Sequence, residues 1–140
     1  MVNWVLRGAV LLWALFFAIV GARGLFDPAS YTETFGIMVE GPATNTIRAD
    51  MSAFFLVAAG SAAIGVLVPG WLRALLVPAA LYGTALAGRL FGIASGDPVN
   101  TGIVQAMIIE ALTVLLMIGS WWVLSRPATV PVEAPADTVQ

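Results

Sequence analysis

Long apolar stretches at 4–22, 49–68, 72–94 and 103–124 leave this chain of 140 residues little room for anything else. A transmembrane helix needs roughly 20 mostly apolar residues to cross the hydrocarbon layer. Each of the four stretches meets that length or nearly does. The second is the cleanest, with no charge between Met51 and Leu72, while the third and fourth each carry one charge deep inside, Arg89 and Glu110. Helices are the natural choice, because backbone groups facing lipid must be satisfied within the segment. The alternating pattern of a membrane barrel is absent. Charged residues make up 10% of the chain, against about 25% in a soluble domain, and the mean hydropathy is +0.95. Such a chain cannot cover a water-facing surface. The expected fold is all-α: a polytopic membrane protein with an antiparallel four-helix transmembrane bundle over 1–124.

The first span has features of a cleaved signal peptide, with Arg7, an apolar run and then Val20-Gly21-Ala22. Three further spans follow it, so it is expected to be retained. Pro69-Gly70-Trp71 is a tight turn that makes spans 2 and 3 antiparallel neighbours. Residues 95–102 form a second short link. The first loop, 23–47, is longer and carries helix signals of its own. Asp27 suits an N-cap, Pro28 the first helical position and Gly36 a stop. Tyr31 and Phe35 fall on one face of that short helix, which is expected to lie at the membrane interface. Thr44 or Asn45 is expected to cap span 2. Beyond residue 124 the prolines exclude a helix, and 125–140 read as a disordered cytoplasmic tail.

Orientation follows from the basic residues. Arg7, Arg73 and Arg126 would lie on the side of the termini, and Arg23 and Arg48 on the other. The excess places both termini in the cytoplasm. Trp4, Trp71, Trp121 and Trp122 then gather at the cytoplasmic interface, as aromatic belts do.

The chain has no Cys and no His. That excludes disulfides, thiolate chemistry, imidazole base catalysis and the usual zinc, haem or copper ligands. No metal or cofactor is expected. A net charge of −2 with scattered signs gives no support for a nucleic-acid partner. Ionisable residues inside the membrane are what remains. Arg89 lies about 8 Å from the far end of span 3 and Glu110 about 10 Å into span 4, at 1.5 Å per residue. On adjacent antiparallel helices the two are a natural pair, and pairing offsets the cost of a charge in lipid. Arg48 and Asp50 mark the same end of span 2, and Arg23 that of span 1. Residues two apart on a helix point in nearly opposite directions, so Arg48 and Asp50 are not each other's partner. Tyr82 shares a face with Arg89, and Thr113 one with Glu110. Arg23, Arg48, Asp50, Tyr82, Arg89 and Glu110 are thus expected to converge on one polar cluster, either a structural network or a site for a lipid or anionic ligand.

Small residues at 58–63 in span 2, and Gly83, Ala87 and Gly88 in span 3, are expected to allow close helix packing within the bundle, with dimerisation as the other reading.

Several of these features together resemble a bacterial family of small four-span inner-membrane proteins, catalogued as a domain of unknown function. The resemblance runs from about Leu11 to Leu124. It rests on Asp27-Pro28 followed by Phe35-Gly36, on Asn45-Thr46-Ile47-Arg48-Ala49, on Gly88-Arg89-Leu90 with Gly96, and on Glu110. Members of that family usually carry two glycines soon after the Arg-Ala pair, where this chain has Ser52-Ala53. The resemblance implies a bacterial inner (plasma) membrane and highlights Arg48, Arg89 and Glu110. It brings no established activity.

The leading expectation is a non-enzymatic accessory or interaction protein, with the lipid bilayer and a membrane-protein partner or second copy as its neighbours. The alternative is a binding protein or transporter for a small amphiphile or anion, using the outer-leaflet Arg/Glu cluster. An enzyme acting on lipids or quinones would need Glu110 or Asp50 as acid/base, with arginines stabilising charge.

Overall fold

The computed structural model describes residues 2–126. The expected tail at 125–140 lies almost wholly outside the described residues. Helix α1 spans Val2–Phe26, a short α2 Ser30–Phe35, α3 Ala43–Leu67, α4 Leu76–Ala94 and α5 Thr101–Leu124, with a single 3-10 turn at Leu72–Leu75 leading into α4. The fold is all-α, and α1, α3, α4 with its leading turn, and α5 are long and apolar enough to cross a membrane. The chain is a multi-pass membrane protein built as an antiparallel four-helix bundle. One end carries the N-terminus and the 69–71 turn, here called the terminal end. The other carries α2 and the 95–100 link, here called the loop end.

Chain reversals follow from residue chemistry. Val68 takes extended φ and ψ (−97°, 119°), as the residue before proline is driven to do, and Gly70 supplies the positive φ (83°) of the turn. Pro78 sits in the first turn of α4, where a missing N–H costs little. At the far end of α4, Gly96 (φ 93°) takes the left-handed position. Its N–H reaches the Ile93 carbonyl at 3.1 Å, and that of Asp97 the Gly92 carbonyl at 3.0 Å. That pair is a Schellman cap. Asn100 then caps α5, its Oδ1 accepting from the Ile103 N–H at 2.9 Å.

Two expected caps are corrected. The α2 turn is started by the main-chain carbonyl of Asp27, which accepts from the N–H (3.1 Å) and hydroxyl (2.6 Å) of Ser30, so the helix proper begins at Ser30. Neither Thr44 nor Asn45 caps α3. Gly41 (φ 56°) and Pro42 have already turned the chain, the Thr44 N–H bonds to the Gly41 carbonyl, and both residues fall within the first helical turn.

Helix α1 packs chiefly on α3, and α4 chiefly on α5. The two pairs join in the terminal half through Val10, Ala14, Ala62, Val66, Leu75, Ala79 and Met117. An aromatic stack continues the core toward the loop end. Phe35 of α2 stacks on Phe55 of α3 at 5.6 Å, Phe55 on Phe17 of α1 at 5.7 Å, and Phe17 meets Tyr82 of α4 edge-on at 5.3 Å. Past that stack the pairs differ. Helices α1 and α3 stay packed to their loop ends, with Gly21, Gly24 and Ser52 buried. In the other pair nothing is buried in α4 beyond Tyr82, or in α5 before Glu110.

Of the small residues expected in the packing, Ala58, Ala59 and Ala62 are buried. Those of α4 are a correction. A Cβ on Gly83 would make ordinary contact with Val114 at 3.7 Å. Ala87 and Gly88 are exposed, and nothing lies within 4 Å of where a Gly88 Cβ would be. They face outward because α4 meets its neighbours through Pro78, Ala79 and Tyr82 instead.

Candidate functional site

Arg89 and Glu110 form the expected pair. Arg89 Nε donates to Glu110 Oε1 at 2.8 Å, with the Arg89 side chain 36% exposed and that of Glu110 only 7%. Each helix supplies one partner at nearly the same height above the bundle centre, so a short reach closes the bridge. Only one edge of each group is used. Glu110 Oε2 is buried without a hydrogen-bond partner, and so is the Tyr82 hydroxyl. One turn deeper, Thr113 Oγ1 accepts from Trp13 Nε1 at 2.9 Å, and the Trp13 ring lies 5.4 Å from that of Tyr82. Buried Tyr82, Glu110 and Thr113 and half-buried Trp13 therefore form a polar column between α1, α4 and α5, with Arg89 at its loop end.

Arg48 is placed elsewhere. Its Nη1 donates to the Leu25 carbonyl at 2.7 Å and leans toward that of Phe26. It thereby closes the C-terminus of α1, where orphan carbonyls and the helix dipole both favour a cation. Arg7 does the same at the terminal end, donating to the Val66 carbonyl in the last turn of α3. Each helix of the α1–α3 pair thus has its C-terminus closed by an arginine from near the other's N-terminus. Asp50 is exposed, on the opposite side from Arg48 as two-residue spacing requires. Arg23 lies exposed in the last turn of α1. Among the described residues, no hydrogen bond or ion pair joins Arg48 or Asp50 to the Arg89–Glu110 pair. The structure brings Tyr82, Arg89 and Glu110 together and sets Arg48 in a separate arrangement at the end of α1.

Two polar contacts were not anticipated from the sequence. One is Trp13 with Thr113. The other is the Tyr31 hydroxyl with Ser52 Oγ, 3.0 Å apart and buried. The hydroxyl end of the Tyr31 ring packs on Gly24, where a Cβ would come within 1.8 Å of Cζ. This contact fixes α2 to the bundle. Its one sequence signal was the Tyr31–Phe35 face, whose rings do meet, tilted, at 5.7 Å.

Beside Arg89 lies a half-open cleft of about 420 Å³ between the loop ends of α4 and α5. Ala85, Gly88, Gly92, Ile93 and Ile103 line it, together with the charged Arg89 and Asp97. Among the described residues, no group of three or more acidic side chains is arranged to hold a metal ion. Comparison with protein-family models, with curated proteins and with solved structures gives no match to this chain.

Proposed function

We propose that this chain is a non-enzymatic accessory or interaction protein of a bacterial inner membrane, with both termini in the cytoplasm. One observation carries the reading. Arg7, Arg48 and Arg89 are each bonded to the bundle's own groups, two to helix-end carbonyls and one to Glu110. Charges spent in this way hold helices in register. Intramembrane ionisable groups that act catalytically need a reacting centre within hydrogen-bond reach of acid and base together. Asp50, the other acid/base candidate, makes no hydrogen bond or ion pair with the Arg89–Glu110 pair among the described residues. The surface left over is lateral and apolar, and the loop-end half of the α4–α5 pair belongs to it, with no residue buried in α4 beyond Tyr82 or in α5 before Glu110. Phe91 there is 75% exposed. That half is the proposed contact for a partner membrane protein. The location of the termini is supported by the basic residues near the terminal end, and the bacterial inner membrane by the four-span resemblance described above.

Purification from the native membrane in a mild detergent tests this. A second membrane protein retained in stoichiometric amount is expected. A chain that comes off alone, with no protein partner before or after cross-linking, overturns the reading.

A further inference from the structure

We propose that the cleft beside Arg89 binds the headgroup of a zwitterionic phospholipid, with phosphate on Arg89 and ammonium on Asp97. The proposal stands on the cleft itself and does not depend on a protein partner. The guanidinium is held in place by its Nε bond to Glu110, while Nη1 and Nη2 carry no bond among the described residues. A fixed fork with two free nitrogens matches phosphate oxygens. Asp97 lines the same cleft. Its Oδ2 lies where a Cβ on residue 92 would be only 2.5 Å away, so glycine at that position lets the carboxylate lie against α4, one turn past Arg89.

Arg89 and Asp97 line one cavity and yet form no ion pair with each other. Opposite charges near lipid attract strongly when nothing separates them. A ligand carrying both signs fits the gap. A free phosphate or a purely anionic lipid would satisfy Arg89 but would set its charge against Asp97, and such mismatched charge disfavours it. The volume, about 420 Å³, falls in the range of roughly 300–1,000 Å³ typical of small-ligand sites. The apolar lining residues Ile93 and Ile103 suit the upper acyl chains.

The test is native mass spectrometry of the full chain released from nanodiscs that hold phosphatidylethanolamine and phosphatidylglycerol in equal amounts. Phosphatidylethanolamine should be retained one per chain, with a preference of roughly ten-fold, the effect of one charge-assisted hydrogen bond. Asp97→Asn leaves the backbone cap of α4 intact and should erase the preference. Gly88→Leu projects into open space beside the cleft and should abolish retention of both lipids without lowering the thermal midpoint of the lipid-free chain. No retained lipid, equal retention of both by the unaltered chain, or an Asp97→Asn chain with the preference unchanged overturns the proposal.

Discussion

Glu110 is 6% exposed within a membrane helix, and what makes that tolerable is a single bond from Arg89. Removing the cation leaves a buried acid with neither oxygen satisfied. Arg89→Gln should therefore lower stability by about 1–3 kcal/mol, the cost of an unpaired buried polar group. Pairing it with Glu110→Gln should restore much of the loss, because the exposed penalty is that of the charge left behind. Thermal unfolding of the four members of the cycle in detergent measures the coupling; additive losses would refute it. Gly24 makes a steric prediction at the same scale. Gly24→Ala forces the Tyr31 ring off Ser52, and overpacking of this kind costs about 1–3 kcal/mol. Faster proteolysis between residues 27 and 42 would report the release of α2. The pair at 89 and 110 was legible in the sequence because depth is, by counting residues from a helix end. Trp13 with Thr113 was not, because that contact depends on how far each helix is turned about its own axis. Apolar residues surround every face of these helices, so the sequence pattern does not reveal that rotation.

At the scale of elements, α1 and α3 close each other's C-termini through Arg48 and Arg7. The two sites lie at opposite ends of the bundle and share no partner. Arg7→Gln and Arg48→Gln should each cost about 0.5–2 kcal/mol, from a lost charge-assisted bond and a lost dipole contact. The double variant should lose the sum within about 0.5 kcal/mol. Chemical or thermal denaturation in detergent decides it, and a combined loss well above the sum would show that the two closures act as one. The helices themselves were legible from length and hydropathy, and the turns from their prolines and glycines. The target of Arg48 was not. It depends on where α1 ends, and that is set jointly by Asp27, Pro28 and the docking of Tyr31. Hence Arg48, expected beside Arg89, instead closes a helix.

For the whole molecule, the two helix pairs are joined at the terminal end and by the aromatic stack, and they differ at the loop end. One pair is packed there and the other is not. Ala87 and Gly88 of α4, expected inside the bundle, are exposed for this reason, and Gly88 lines the Arg89 cleft. The α4–α5 loop end is thus the part of the molecule most available to something else in the membrane. A photo-reactive phenylalanine analogue in place of Phe91, cross-linked in native membranes, tests this most directly. The matching probe replaces Phe16, which is 60% exposed on α1. The account predicts a discrete protein adduct from position 91 and none from position 16. Adducts of equal yield at both positions, or lipid adducts alone from position 91, would contradict it.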